Sequence, residues 1–127
     1  MVKRILIVDD DAETSQLIEL TLTKFMDDFT IYAAEDGDAA IATVELLSDA
    51  GTTPDITIMD LRMPNMDGVE CTKRLSELGV KNIHILSAFL DPKIIESAHE
   101  AGATAIMDKG DGFTTIATKI ADNLRGK

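Results

Sequence analysis

The chain has 127 residues, 45% hydrophobic and 28% charged, so residues 1–127 suffice for one domain with a single core but leave no room for a second. Lys and Arg number 12 against 23 Asp and Glu, and the resulting net charge of −11 opposes direct binding to nucleic acid. No apolar run reaches the about 18 residues of a membrane span, and the N-terminus lacks a signal-peptide profile, so we expect a cytoplasmic protein.

Short aliphatic runs alternate with segments of helical periodicity from end to end, which is typical of βα units around a parallel sheet. The first, third and fourth runs are nearly unbroken Ile, Leu, Val and Met and are predicted to be central, with the other two nearer the edges. The five predicted strands are Lys3 to Val8, Thr30 to Ala34, Asp55 to Met59, Asn82 to Leu86 and Thr104 to Met107.

Amphipathic helices are predicted between the strands. Asp91 followed by Pro92 predicts the start of the fourth helix, and Gly79 and Gly102 predict the ends of the third and fourth. A turn-rich loop is predicted from Ser48 to Pro54. The apolar stripes are Leu17, Ile18, Leu22 and Phe25 in the first helix and Phe113, Ile116, Ala117, Ile120 and Leu124 in the last.

Polar side chains follow four of the predicted strands at the point where each strand ends. Because the carboxyl ends of parallel strands share one edge, we expect these side chains to meet in a crevice. Two carboxylates about 4 Å apart repel by about 4 kcal/mol at an effective dielectric near 20, so such a cluster is stable only if a cation or a proton intervenes. The oxygen ligands favour a divalent metal, Mg²⁺. The residues are Asp9, Asp10, Asp60, Ser87 and Lys109.

Several of these acids also have a purely structural interpretation. Either Asp10 or Asp11 is expected to cap the first helix, and Asp67 the third. Asp60 is the stronger functional candidate, because a carboxylate that ends a buried apolar strand is costly unless it is paired. A carboxylate oxygen can attack a phosphoryl group when a metal, an ammonium and hydrogen-bond donors neutralise the moving charge.

Three other reactive side chains are predicted to be structural. His84 and His99 have no Cys or His companions at metal-binding spacing. Cys71 lies in a helical pattern and is interpreted as a small core residue, since a single cysteine cannot form an internal disulfide.

The pattern of Asp9-Asp10, Asp60 within Asp-x-x-Met-Pro-x-Met-Asp-Gly, Ser87-Ala88 and Lys109 resembles the receiver domain of two-component response regulators along the whole chain. The resemblance implies an α/β, flavodoxin-like, doubly wound fold with five parallel strands in the order 2-1-3-4-5 and five surrounding helices.

The resemblance also implies roles at the metal centre. Asp60 would be the phosphoacceptor and a metal ligand, Asp10 a direct Mg²⁺ ligand, and Asp9 would act largely through water. The backbone carbonyl of Arg62 would supply a further ligand, and Mn²⁺ can substitute for Mg²⁺. Lys109 would pair with Asp60 at rest and with the phosphoryl oxygens after transfer.

The implied function is a phosphorylation-controlled switch in phosphorelay signalling. The phosphohistidine of a sensor histidine kinase or a histidine phosphotransfer protein would be the donor, and the chain would catalyse only its own phosphorylation and dephosphorylation. The Ser87 hydroxyl would then swing in to bond the phosphate. Helix 4, strand 5 and helix 5 would form the surface that binds the effector. The effector would be a separate protein, or a domain beyond Lys127 in a longer regulator. This segment would contact neither membrane nor nucleic acid directly.

Two positions depart from the family pattern on the switching side. Ile106 stands where the fifth strand normally carries an aromatic ring, so a ring rotation at that position is unavailable. The lysine is normally followed by a cis proline, whereas here Lys109 is followed by Gly110; a non-proline cis bond costs about 3–4 kcal/mol, so we expect a trans bond and a more mobile loop.

Arg62 lies two residues beyond Asp60, and Phe89 lies two residues beyond Ser87, after Ala88. In this family these two positions influence how quickly water reaches the aspartyl phosphate. We hypothesise that Arg62 reaches a phosphoryl oxygen while Phe89 screens it, which lengthens the life of the phosphorylated state. Autodephosphorylation rates of Arg62→Asn and Phe89→Ala test this, and no acceleration in either would contradict it. In the alternative interpretation, both residues line a rim that binds a partner.

Two further interpretations of the whole chain stay open. One is a receiver that binds protein partners largely independently of phosphorylation, which Ile106 and the missing proline favour. The other is a small enzyme or nucleotide binder on the same fold, which the absence of a Gly-rich phosphate loop after the first strand disfavours.

Overall fold

The structure, a computed structural model, describes residues 2–126. Ten helices and strands alternate along this part of the chain, and a short 3₁₀ turn, Lys109–Asp111, precedes the last helix. In chain order they are β1 Lys3–Val8, α1 Ala12–Leu22, β2 Phe29–Ala34, α2 Gly37–Asp49, β3 Ile56–Met59, α3 Gly68–Glu77, β4 Ile83–Ser87, α4 Pro92–Ala101, β5 Ala105–Asp108 and α5 Phe113–Leu124.

The five strands form one parallel sheet in the order β2-β1-β3-β4-β5. This confirms the order implied by the resemblance, and it places β2 and β5 at the edges as the composition of the strands predicts. The side chains of β1, β3 and β4 are buried almost without interruption, because helices cover both faces of the sheet.

Two apolar clusters occupy the two faces of the sheet. The first cluster joins Leu6, Val8 and Met59 to α2, α3 and α4. The second cluster joins Ile5 and Ile7 to α1 and α5. Successive residues of β1 point to opposite faces, so one strand supplies both clusters and ties the two layers together.

Most helix boundaries agree with the sequence. Asp67 caps α3 and Asp91 caps α4, where Pro92 is the first helical residue. Gly79 follows α3 at φ +89° and Gly102 ends α4 at φ +119°, a left-handed conformation that glycine adopts without a steric penalty.

Two predictions about helix surfaces and ends are wrong. Leu17 is 39% exposed, because the buried stripe of α1 runs through Thr14, Ile18 and Leu22 and Leu17 lies beside it. The predicted loop from Ser48 to Pro54 begins too early, since α2 continues through Asp49. Among residues 2–126, no helix combines the length and the apolar character needed to cross a membrane.

Candidate functional site

The crevice forms where the connections from β1 and β3 diverge. β1 leads through α1 to β2 on one side, whereas β3 leads through α3 to β4 on the other, and this divergence leaves room between neighbouring strand ends. Asp9 and Asp60 directly follow these two strands. Their amides continue the sheet ladder, with the Asp9 N–H donating to the Ala34 carbonyl at 3.0 Å and the Asp60 N–H to the Val8 carbonyl at 2.8 Å. Both backbones are therefore held by the sheet itself.

Three carboxylates meet in this crevice. Asp9, Asp10 and Asp60 each offer an oxygen, and these oxygens lie within 4.8 Å of one another. Asp9 and Asp60 are buried, at 5% and 6% exposure, whereas Asp10 is exposed. The predicted convergence of the three acids is thus present in the structure.

Burial and charge together perturb Asp60. Desolvation, followed by the negative charge of Asp9, raises the pKa of Asp60 from 3.8 to about 6. The Lys109 ammonium and the backbone N–H groups of Leu61 and Arg62 act in the opposite direction. The Leu61 N–H donates to Asp60 Oδ1 at 2.9 Å. The protein alone therefore does not fully offset the cost of burying the ionised Asp60 carboxylate.

The donor set fits a hard divalent cation. Three carboxylates face a single ammonium in the crevice, so an excess of negative charge persists when all are ionised. Carboxylate and carbonyl oxygens are the ligands that Mg²⁺ prefers, and neither His84 nor Cys71 belongs to the cluster.

Lys109 reaches across the crevice to two of the acids. Its Nζ lies 2.8 Å from Asp9 Oδ2 and 3.7 Å from Asp60 Oδ1. The expected pairing with Asp60 is therefore only secondary, since the hydrogen bond goes to Asp9. Desolvation works to lower the pKa of Lys109, but the hydrogen bond to Asp9 and the charges of Asp60, Asp9 and Asp10 outweigh it and raise the pKa. Lys109 thus stays cationic at neutral pH.

The turn that carries Lys109 has its own support. Asp108 Oδ1 accepts the Gly110 N–H at 2.8 Å and caps the 3₁₀ turn Lys109–Asp111. No cis peptide bond occurs in the described part of the chain, as expected for Lys109-Gly110. The loop after β5 therefore begins with a capped turn, which places Lys109.

The three acids at the end of β1 have different hydrogen-bond roles. Asp9 Oδ1 accepts the Asp11 N–H at 2.9 Å, and Asp11 Oδ1 accepts the Glu13 N–H at 3.0 Å as the N-cap of α1. Asp11, not Asp10, is the cap. The carboxylate of Asp10 accepts no hydrogen bond within residues 2–126, so it remains available to a ligand.

The loop from β3 to α3 depends on a close approach at Gly68. Its N–H donates to the Leu61 carbonyl at 2.9 Å. A Cβ at position 68 would collide with the Asp60 carbonyl oxygen and lie 2.7 Å from Leu61 Cα. At the other side of the loop, Met66 packs on Gly37, where its Sδ would be 2.6 Å from an added Cβ. The Met-Asp-Gly part of the motif is a signal for this packing, which the sequence alone does not reveal for Gly68 and Gly37.

The other predicted site residues lie at the end of β4, in the loop after it, and in β5. Ser87 is 1% exposed, and its Oγ accepts the Phe89 N–H at 3.1 Å, with Ala88 between them. Within the described residues, Ser87 makes no hydrogen bond to the carboxylates or to Lys109. Ile106 is half-buried and packs against the first apolar cluster.

Arg62 and Phe89 contact each other across the mouth of the crevice. The guanidinium carbon of Arg62 lies 3.9 Å from the centroid of the Phe89 ring, a cation–π contact between the loops that follow β3 and β4. Phe89 is 57% exposed despite this contact. Arg62 therefore rests on the aromatic ring in this structure.

The remaining reactive side chains have structural surroundings, as predicted. His84 Nε2 lies 2.8 Å from Asn82 Oδ1 and 3.3 Å from Asn123 Nδ2, and burial lowers the pKa of His84. His99 Nδ1 lies 3.1 Å from the Ala103 carbonyl oxygen. Burial raises the pKa of Cys71 to about 12, which keeps its thiol protonated.

Comparisons with known proteins agree with this geometry. Transcriptional regulatory protein LiaR of Bacillus subtilis is 33% identical over 127 residues, covering 96% of this chain and 54% of that protein. Transcriptional regulatory protein PdtaR of Mycobacterium tuberculosis is 32% identical over 121 residues, covering 93% and 55%. This chain thus spans about half the length of these two relatives.

A solved structure and a family model extend the comparison. The response regulator domain of Thermotoga maritima CheB is 25% identical, with a TM-score of 0.78 over 99% of this chain and 96% of that chain. The family model of the response regulator receiver domain matches residues 5–121. The chain therefore belongs to the receiver domains of two-component response regulators.

Proposed function

We propose that Asp60 accepts a phosphoryl group from the phosphohistidine of a sensor histidine kinase or a histidine phosphotransfer protein. An Asp60 carboxylate oxygen attacks phosphorus, the N–P bond of the phosphohistidine breaks, an acyl phosphate forms, and the imidazole leaves with the electron pair. The observation that carries the proposal is a buried carboxylate held between two further carboxylates and an ammonium, with its backbone fixed by the sheet.

The contacts favour Asp60 over its neighbours as the nucleophile. Both oxygens of Asp9 are already occupied, one by the Lys109 ammonium and the other by the Asp11 N–H. Asp10 is exposed and is not held by the surrounding protein. Asp60 is oriented by the Leu61 N–H and lies 3.7 Å from Lys109, so a cation is in place for the charge that develops on the phosphoryl group.

Mg²⁺ would be held by Asp10, Asp60 and the backbone carbonyl of Arg62, with Asp9 acting largely through water, and Mn²⁺ can replace it. When bound, the ion neutralises charge on the carboxylates and on the phosphoryl oxygens. The chain's own contribution is to orient Asp60, to keep Lys109 cationic next to it, and to supply the Ser87 hydroxyl as a donor once the phosphoryl group is attached.

Phosphorylation would then change protein contacts. The phosphoryl group adds up to about two negative charges next to the loops after β3, β4 and β5, and we propose that α4, β5 and α5 present the result to an effector protein or domain. We place this step in the cytoplasm and assign this segment no direct contact with nucleic acid. Its catalysis is limited to its own phosphorylation and dephosphorylation.

A second candidate is a receiver that binds its partner whether or not it is phosphorylated. Ile106 supports it, because an isoleucine packed into an apolar cluster lacks the polar group and the planar ring through which an aromatic residue would respond to movement of Ser87.

Acetyl phosphate with Mg²⁺, followed by intact mass measurement, distinguishes the two. We expect the wild type to gain one phosphate, no gain without Mg²⁺, and none in Asp60→Asn. Asp67→Asn is the matched control, since Asp67 caps α3 outside the carboxylate cluster and its replacement should still permit phosphorylation. If neither acetyl phosphate nor a phosphorylated kinase modifies the wild type, while a control receiver is modified, the constitutive binder is the better description.

A further inference from the structure

Phe89 is an exposed aromatic residue held from two sides. The Arg62 guanidinium covers its ring at 3.9 Å, and its backbone N–H donates to Ser87 Oγ at 3.1 Å. Phe89 is nevertheless 57% exposed. Arg62 lies three positions beyond the end of β3 and Ser87 is the last residue of β4, so both groups that hold Phe89 are at the edge of the sheet that carries Asp60.

Phe89 differs in this respect from the other aromatic residues. The chain has four Phe and one Tyr. The other four are partly buried: three pack against the second apolar cluster and one against the first, so their positions are set by the core. Phe89 alone among the five depends on contacts at the mouth. Those four are Phe25, Phe29, Phe113 and Tyr32.

We propose that Phe89 is the aromatic element of the switch in this chain. In the resting state Arg62 and Ser87 hold the Phe89 ring at the mouth, and a phosphoryl group on Asp60 draws both residues toward itself, which releases the ring and the loop between β4 and α4. The inference rests on the proposed phosphorylation of Asp60, and it places the aromatic response at residue 89, in place of the position occupied by Ile106.

The competition for Arg62 favours release. In the resting state its guanidinium faces a neutral ring at the protein surface, and an exposed cation–π contact is weak. A phosphoryl group would offer charged oxygens, which guanidinium groups bind through stronger, charge-assisted hydrogen bonds. A guanidinium that moves toward a phosphoryl group on Asp60 would leave the face of the Phe89 ring, and the exposed ring offers little to hold it there.

The competition for Ser87 acts on the same residue through the backbone. Ser87 Oγ accepts the Phe89 N–H, while its own proton has no acceptor within the described residues. A phosphoryl oxygen would provide one. Rotation of the Ser87 side chain toward the phosphoryl group moves Oγ away from the Phe89 N–H, so the loop loses its backbone contact when the ring loses Arg62.

Ile106 explains why the response shifts away from β5. It lies opposite Ile85 in the sheet register and is half-buried against the first apolar cluster. Movement of this side chain would break apolar contacts without forming a polar one. Phe89, in contrast, has no apolar cluster to leave.

Fluorine NMR of protein labelled with 4-fluorophenylalanine tests the inference, with Phe89→Leu used to assign the residue-89 resonance. In the wild type we expect this resonance to shift when acetyl phosphate and Mg²⁺ are added, while the resonances of Phe25 and Phe29, which pack against the second apolar cluster, stay in place. In Arg62→Met, which keeps the side-chain length without the charge, the resting resonance should already differ from wild type. The shift on phosphorylation should then fall by about half or more, because one of the two holding contacts is already lost.

Arg74→Met is the matched control, since Arg74 pairs with Glu70 on α3 and lies apart from Phe89. It should leave both the resting resonance and its shift unchanged. Intact mass of the same samples gives the phosphorylated fraction, so shifts are compared at equal phosphorylation. A wild type that gains phosphate while the residue-89 resonance stays fixed overturns the switch but leaves the phosphorylation of Asp60 standing. A wild type that gains no phosphate overturns both.

Discussion

Replacing Asp60 by Asn should stabilise the folded protein at neutral pH in the absence of divalent metal. The carboxylate is buried beside Asp9 and Asp10, and desolvation is the main reason why its pKa is raised from 3.8 to about 6. Asn has nearly the same shape and keeps an oxygen for the Leu61 N–H, which now donates to Asp60 Oδ1. The substitution thus removes the charge and preserves the hydrogen bond.

The magnitude follows from the pKa. A rise from 3.8 to about 6, at about 1.4 kcal/mol for each pKa unit, corresponds to about 3 kcal/mol, and solvent at the mouth of the crevice reduces this to about 1–3 kcal/mol. Below pH 3.8 the carboxyl is protonated in both the folded and the unfolded state, so it contributes no pH dependence. Between 3.8 and about 6 only the unfolded state ionises, which lowers the free energy of unfolding as pH rises, and above about 6 the loss is complete.

Urea unfolding followed by circular dichroism measures the effect at about pH 8 and about pH 4. We expect Asp60→Asn to be more stable than wild type by about 1–3 kcal/mol at the higher pH and by much less at the lower pH. Mg²⁺ should stabilise the wild type at about pH 8 and narrow the difference. Glu96→Gln, which removes an exposed charge from α4, should change stability by less than about 0.5 kcal/mol. A variant equal to or less stable than wild type at about pH 8 would refute the reasoning.

Three further substitutions test the supports of the site. Gly68→Ala should lower the free energy of unfolding, measured with urea, by about 3 kcal/mol because the added Cβ collides with backbone. In Gly110→Ala the added Cβ meets only the Asp108 side chain, at 3.1 Å, so the loss should be less than about 1 kcal/mol. Equal losses in the two variants would contradict the packing argument. Asp108→Ala should slow phosphorylation by acetyl phosphate because the turn that carries Lys109 loses its cap, and Asp108→Asn, which keeps the acceptor, should restore the rate; failure of Asn to restore it would show that the cap is not the cause. Burial lowers the pKa of His84 below 6.5, so below pH 6.5 the unfolded state takes up a proton more readily than the folded state. The wild type should therefore lose stability relative to His84→Gln as the pH falls below 6.5. Parallel curves of stability against pH would contradict this.

The strands and their end residues are predictable from the sequence because they depend on local patterns. Runs such as Ile5 to Val8 are apolar at every position, which is typical of a strand covered on both faces, and the first charged residue after such a strand is expected at the edge of the sheet. In a parallel sheet all such ends share one edge, so Asp9 and Asp60 are placed together by the sequence alone. Leu17 could not be placed, because its exposure depends on which side of α1 packs against the sheet.

The partners within the site depend on distances that only folding sets. The sequence identifies Lys109 as the cation, but the choice between Asp9 and Asp60 depends on the 3₁₀ turn and on the Asp108 cap that supports it. Likewise, nothing in the sequence brings Arg62 onto the Phe89 ring, since the two residues follow different strands and their contact depends on how two loops lean toward each other.

By itself, therefore, the sequence determined the class of fold, the order of its elements and the chemical groups at one edge of the sheet, because apolar periodicity and strand-end residues are local properties of the chain. The tertiary structure decided which acid is buried, which oxygen bonds Lys109, why residue 68 has to be glycine and what holds Phe89. Each of these depends on contacts of a few ångströms between segments far apart in sequence, and such contacts exist only after the sheet has aligned the loops.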